Sequence, residues 1–435
     1  MTSDLIQINV RNPLVRVVLI IFLIVGAVWS YFVVRWYLGN TFAEYFNTET
    51  NSVEAAQRAV SMAPDDPMTH WRMDQVSQKV LSLEQQAQAI GAFERAVSLS
   101  PNDYRYWMTL GIAYEQVGET AKAEYALKRA VGLAPSYAYP HWYLGNLLLR
   151  SSRYDEAFVE LRRAAEADAE LQTQQFNLVW EVYKPDPEAL KRAIGDDSLA
   201  RAKFALYLVN RQEFETGLKI WDGIGPDEKK SNKESGEALV NSLVTAWRYH
   251  DAVKVWNDLV GDTNNRIEIG RVFDGGFDDA SRYGPEMPFT WQVQQVLGVQ
   301  IGLDPTRSHS GASSLRLLFN VRTNLEGLNV MQLVPVAPGT EYEVEFYVKS
   351  EELETGGPPI VQIVDPTTSG VIVTSPYVAI GDSEWTRVAL PLKTGDKTEA
   401  LLIKIERPSC GTKEAPICPI FGSVWYDDFS FKRRN

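Results

Sequence analysis

The side chains best suited to chemistry are few: four histidines, His70, His141, His250 and His309, and two cysteines, Cys410 and Cys418. None of the histidines has the H-E-x-x-H spacing that sets two imidazoles on one helix face beside a base. There is no G-x-S-x-G elbow, no Walker loop and no dinucleotide fingerprint. Asp and Glu number 56, but glycosidic hydrolysis needs two of them held at a set separation, which abundance does not supply. The expectation is a protein without catalysis, with a glycan-active hydrolase as an alternative. Cys410 and Cys418 stand in "PSCGTKEAPICP", close enough for a disulfide across a short loop and without a second Cys or His pair to complete a zinc site. Such a bond persists only in an oxidising compartment; the alternative is two buried thiols in a cytoplasmic domain.

At 435 residues the chain has room for two or three domains. Its 43 Lys and Arg against 56 Asp and Glu give a net charge of -13, and with no basic run this argues against nucleic acid as a partner. Between Arg16 and Arg35, "VVLIIFLIVGAVWSYFVV" is uncharged. At about 1.5 Å per residue it just crosses a hydrocarbon core of roughly 30 Å. We expect a short N-terminal segment at 1–13 and a transmembrane helix at 14–38, with Tyr31, Trp36 and Tyr37 suited to the membrane interface. A cleaved signal peptide is the alternative. Arg11 and Arg16 precede the helix and Arg35 follows it; with the expected disulfide, this places the N-terminus in the cytoplasm and the bulk of the chain outside it.

Residues 39–263 read as helical. In "YWMTLGIAYEQVGETAKAEYALKRAVGLAP", Trp107, Leu110, Gly111 and Tyr114 share one helix face, Ala123, Leu127 and Ala130 lie on a second helix, and Pro135 ends it. Small residues at Gly111 and Ala123 let the two helices approach closely. A step of 34 residues onward gives Leu144, Gly145, Leu148, Ala157, Leu161 and Ala164, and a step back gives Ala89, Phe93, Ala96 and Pro101. This period resembles the tetratricopeptide repeat (TPR) family over about residues 70–169. Val76 and Ser77 replace the Leu-Gly pair in one unit and Ala169 stands where the closing Pro belongs, while Trp221 and Trp256 mark divergent units farther on. The resemblance implies a superhelix whose concave surface holds peptides or partner proteins. Arg105, Met108, Ile112, Tyr139, Trp142, Asn146 and Leu149 turn away from the packing face and are the candidate partner-binding groove. The alternative is that they pack only on the chain's own neighbouring turns.

From about Asn264 the period becomes two. "TEYEVEFYVKS" sets Tyr342, Val344, Phe346 and Val348 against Glu341, Glu343, Glu345 and Lys349; "SLRLLF" and "ALLIKIE" send Leu315, Leu317, Phe319, Leu401, Ile403 and Ile405 inward. Short strands between Gly- and Pro-rich turns argue a β-sandwich at 264–435. The order "FDGGFDD", "FTWQV", "SHSGASSLRLLF", "EWTRVALPL", "VWYDDFSF" is similar to jelly-roll carbohydrate-binding modules and galactose-binding-like domains. That resemblance implies a possible structural Ca2+ held by Asp278 and Asp427 with a carbonyl from the turn around Ser310, since Ca2+ takes hard oxygen ligands from distant parts of a chain. The other reading is that these Asp side chains cap turns or face water. Glycan binding needs exposed aromatic faces, for which Trp291, Trp385 and Trp425 are candidates, each with a core role as the alternative.

The fold class expected is therefore multidomain: one transmembrane helix, an all-α superhelix and an all-β jelly roll. The resemblances imply a single-pass protein of the bacterial inner membrane, its bulk periplasmic or extracellular. They imply a scaffold that grips a protein partner through the superhelix and contacts glycan or protein through the sandwich, in surface polysaccharide assembly or export. A purely structural subunit of a larger membrane complex is the rival.

Overall fold

The computed structural model describes residues 12–44, 53–77, 83–260, 265–279, 288–321, 328–408, 410 and 418–434. The side chains of Val76, Ser77 and Ala89, the helix-to-strand boundary at Asn264 and the residues between Cys410 and Cys418 lie outside what is described. The chain divides into two compact units, Met1–Gly195 and Asp196–Asn435.

The first unit is all helix: α1 (Pro13–Glu44), α2 (Val53–Met62), α3 (Pro67–Ser77), α4 (Leu83–Leu99), α5 (Tyr104–Gln116), α6 (Thr120–Leu133), α7 (Ala138–Arg150), α8 (Tyr154–Ala167), α9 (Gln172–Tyr183) and α10 (Pro187–Ile194). Among the described residues α1 is the one helix long and apolar enough to cross a membrane. The pairs α5/α6 and α7/α8 repeat one packing. A Cβ on Gly111 would stand 2.6 Å from Leu127 Cγ and 3.2 Å from the Ala123 carbonyl oxygen; on Gly145 it would stand 2.7 Å from Leu161 Cγ and 3.2 Å from that of Ala157. Glycine is what lets the two backbones come this close. Ala123, Leu127, Ala130, Ala157, Leu161 and Ala164 are all fully buried. Helix starts follow local chemistry: Asp103 accepts from Arg105 N at the head of α5, and Asp186 accepts from Glu188 N and Ala189 N at the head of α10, with Pro187 just inside.

The second unit begins with α11 (Ser198–Asn210), α12 (Phe214–Asp222), α13 (Pro226–Ser231), α14 (Lys233–Thr245) and α15 (Tyr249–Leu259). Ten strands follow: β1 (Gln292–Gln294), β2 (Val299–Asp304), β3 (Ser314–Val321), β4 (Asn329–Pro335), β5 (Glu341–Thr355), β6 (Ile360–Asp365), β7 (Gly370–Thr374), β8 (Gly381–Lys393), β9 (Ala400–Glu406) and β10 (Ile420–Arg433). They form two five-stranded antiparallel sheets, ordered β1-β4-β9-β6-β7 and β2-β3-β10-β5-β8. The inward positions expected from alternation, Leu315, Leu317, Phe319, Tyr342, Val344, Phe346, Val348, Leu401, Ile403 and Ile405, are all in one buried core between the sheets.

Helices and sheets of this unit are joined by side chains. Asn257 on α15 donates to Ile267 O and accepts from Ile267 N, each at 2.9 Å, as one strand pairs with another. His250 donates from Nε2 to Val336 O at 2.9 Å, and its backbone N–H reaches Glu399.

Candidate binding surfaces

The histidines sort first. His70 donates to Pro64 O at 2.8 Å, Trp107 to Pro101 O at 2.8 Å and His141 to Pro135 O at 3.0 Å. Each spans six residues, and each satisfies a carbonyl left over where one helix ends and the next begins. His70 and His141 are thus ring donors at a repeated structural position that also takes Trp. His250 ties α15 to the sandwich. His309 sits beside a cleft.

On α5 and α7, the seven expected groove residues all keep some contact with solvent. Arg105 and Tyr139 are exposed, and Met108, Ile112, Trp142, Asn146 and Leu149 are half-buried. The neighbours Leu110, Gly111, Ala113, Leu144, Gly145 and Leu148 are buried. Some of the seven also serve the fold. Met108 and Leu149 lean on the Leu127–Leu144–Leu148 cluster, Trp142 packs on Ala138, Ala164 and Leu171, and Asn146 donates to the Trp142 carbonyl at 2.8 Å. Arg105 is paired with Asp103, which holds that carboxyl below its usual range through the hydrogen bond.

In the sandwich the three tryptophans part company. Trp291 is 1% exposed, packed on Phe277 and Phe429 with its N–H on Asp274 O. Trp425 is also 1% exposed, covered by the guanidinium groups of Arg307 and Arg316 and bonded through Nε1 to Asp304 at 2.9 Å. These two present no face to a sugar, so the core alternative describes them. Trp385 is half-buried and meets the ring of His309 edge-on, 5.8 Å between centroids. His309 in turn stacks on Tyr347 at 3.6 Å and donates from Nδ1 to Asp428 at 2.6 Å.

His309 and Tyr347 border a cleft of about 1150 Å³ whose wall also includes Asp274, Asp278, Glu345, Asp428 and Lys432. A bulge in β10 shapes this wall. The register with β5 slips between Asp427 and Ser430, and Asp428 takes φ 51°, so consecutive acids point apart. Asp428 reaches out to His309 and Ser310, while Asp427 is fully buried. Burial, with Asp428 adjoining, pushes the Asp427 carboxyl up to about 6. Glu345 goes the other way: hydrogen bonds from Arg387 and Lys432, each at 2.7 Å, hold it down to about 2.

Asp278 and Asp427 both address the 309–312 turn. Asp278 accepts from Ala312 N, and Asp427 accepts from His309 N at 2.7 Å, Ser310 N at 3.2 Å and Asp428 N at 2.8 Å. Ser310 gives its N–H to Asp427 and its hydroxyl to Asp428. Among the described residues no three His, Cys, Asp or Glu side chains converge as a metal-ligand group. Cys410 and Cys418 are joined as a disulfide with Cα atoms 5.5 Å apart. Beside it the Arg407 guanidinium donates to the carbonyls of Gly357, Cys418 and Pro419.

Residues 81–138 match the tetratricopeptide repeat family. A relative from Mycosarcoma maydis, the small glutamine-rich tetratricopeptide repeat-containing protein 2, is 30% identical over 90 residues, 21% of this chain and 26% of that protein. The match thus spans about a quarter of the relative's length. Among solved structures, a CBM4 structure aligns with 38% of this chain and 99% of its own at 13% identity and TM-score 0.28. A thermophilic TPR protein from Thermus thermophilus aligns over 28% of this chain and 68% of its own, at 22% identity and TM-score 0.26. YrrB, described as a TPR protein with an unusual peptide-binding site, aligns over 49% and 95% at 13% identity and TM-score 0.26.

Proposed function

We propose that this is a membrane-anchored, extracytoplasmic scaffold, in which α1 spans the inner membrane, the superhelix grips a protein partner and the sandwich, a jelly roll, receives glycan in surface polysaccharide assembly or export. The observation that carries the partner-binding half is the sorting within α5 and α7. Arg105, Met108, Ile112, Tyr139, Trp142, Asn146 and Leu149 keep solvent contact, while Leu110, Gly111, Leu144 and Gly145 beside them are buried. For the glycan half, the support is His309 and Tyr347, two stacked rings that line a polar cleft, with the Trp385 ring edge-on to His309. A ring face beside fixed carboxylates and a lysine suits a polyhydroxylated ligand.

A structural Ca2+ at Asp278 and Asp427 belongs to the proposal on one ground: a cation there would relieve the cost of ionising the buried Asp427 next to Asp428. It would tie β10 to the segment that opens the sandwich.

The experiment is affinity purification of the full chain from its own membranes against Tyr139→Ala and Arg105→Glu, which lie on exposed positions. The proposal expects both to lose a protein that the parent retains while helicity is unchanged. If both variants retain everything the parent does, the groove is a spacer surface and the rival of a purely structural subunit takes its place.

A further inference from the structure

We infer that the α2–α3 end of the superhelix lies in the phospholipid headgroup layer, placed there because α1 runs unbroken from the lipid into the first packed layer of the helical unit. The inference rests on the reading of α1 as a membrane span.

Helix α1 has 32 residues, about 48 Å of helix, against a hydrocarbon core of roughly 30 Å. Its uncharged run closes at Arg35, which therefore marks the inner edge of the headgroup layer. No linker follows. The Arg35 guanidinium donates to the Ser61 carbonyl at the C-terminal turn of α2, the end of a helix that favours a cation. One turn on, Gly39 is buried against α2: a Cβ there would stand 2.8 Å from Ala63 Cβ and 3.0 Å from Met62 Cβ. Asn40 then donates to Asp66, which itself accepts from Met68 N at the head of α3. Ala43 and Ala63 are fully buried, so the last turns of α1 form a helix layer of the superhelix, continuous with the span.

The depth follows from the rise. From Arg35 to Gly39 is four residues, about 6 Å, and the headgroup layer is roughly 5 to 8 Å thick on each side. Ser61 and Met62, bonded or packed to those two residues, fall within it. The surface they carry suits lipid phosphate: Arg58 and Ser61 are exposed on α2, and Trp36 and Tyr37 on α1 are 50% and 64% exposed.

The two cysteines are paired with each other, so one introduced cysteine in the full chain takes one fluorophore. The test places labels at Val25→Cys, Tyr37→Cys, Ser61→Cys and Glu166→Cys in phospholipid nanodiscs. Nitroxide quenchers are carried either at mid-acyl chain or on the headgroup. The expected result is loss of emission at Val25→Cys with the acyl quencher, loss at Ser61→Cys as strong as at Tyr37→Cys with the headgroup quencher, and none at Glu166→Cys. Quenching at Val25→Cys without quenching at Ser61→Cys overturns the inference and leaves the span standing. No acyl quenching at Val25→Cys overturns the span and the inference with it. Adding Gly39→Val, which forces α1 away from Ala63, should abolish the Ser61→Cys signal and spare that at Val25→Cys; an unchanged Ser61→Cys signal overturns the role given to α1 packing.

Discussion

Adding a single methyl group at three helical glycines should change stability with opposite signs. In Gly145→Ala the new Cβ stands 2.7 Å from Leu161 Cγ and 3.2 Å from the Ala157 carbonyl oxygen, where carbon–carbon contacts are comfortable only at about 3.5 to 4.0 Å. Relief requires α7 and α8 to move apart, because one of the two obstacles is backbone. Overpacking of this kind costs about 1 to 3 kcal/mol, and the gain in helix propensity from Gly to Ala returns about 1 kcal/mol. With the cost toward its upper end, the net is a loss of about 1 to 2 kcal/mol, and Gly111→Ala, with the same surroundings one repeat earlier, should match it. Gly91 lies in α4 with nothing within 4 Å of its would-be Cβ, so Gly91→Ala should keep the whole propensity gain. Amide hydrogen exchange on the full chain in detergent reads each helix separately. Exchange across 138–167 should be about tenfold faster in Gly145→Ala, and across 83–99 about fivefold slower in Gly91→Ala. If Gly145→Ala protects its helices as well as the parent does, or Gly91→Ala loosens α4 equally, close packing is not the reason for glycine at the repeat position.

Three further outcomes are expected. Glu345 has a folded pKa held down to about 2, so its stabilisation is complete above its unfolded value and is lost as pH falls toward 2. With half-exposed partners that is worth about 1 to 2 kcal/mol, and Glu345→Gln should flatten the acid limb of a Tm-against-pH curve; parallel curves would refute the pairing. Trp425→Phe removes the hydrogen bond to buried Asp304 and should cost about 1 to 3 kcal/mol in chemical unfolding, whereas Trp385→Phe should be near neutral; equal losses would contradict their different burial. If Asp278 and Asp427 hold Ca2+, the ion should raise the Tm saturably in the parent and not in Asp278→Asn or Asp427→Asn. A parent indifferent to Ca2+ leaves the 309–312 turn tied by N–H donors alone.

Periodicity made the scaffolds legible. Among the described side chains, the Gly, Ala and Leu positions 34 residues apart and the period-two positions of β3, β5 and β9 all emerge buried, because each reports a contact repeated along one element. The ring cluster of His309, Tyr347 and Trp385 was harder to read, since its members come from a turn and two strands. The signal available was the alternation in "TEYEVEFYVKS", which sets Tyr347 on the polar face with Glu345 and Lys349. Trp425 shows the limit of alternation. It predicts that either Trp425 or Tyr426 faces the core, and Tyr426 does, yet Trp425 is buried on the other face under Arg307 and Arg316. A cover supplied from more than a hundred residues away leaves no mark in the local pattern. The latches of His70 and His141 were hidden for a different reason: the position asks for a ring N–H, and Trp and His both supply one.

The clasp between Asn257 and Ile267, with His250 on Val336 and Glu399 alongside, has a mechanical meaning. A tug on the sandwich does not travel to α15 along the covalent chain alone. It is shared among several parallel hydrogen bonds, loaded together, so the sandwich can carry tension into the helices instead of dangling from them as a tethered weight.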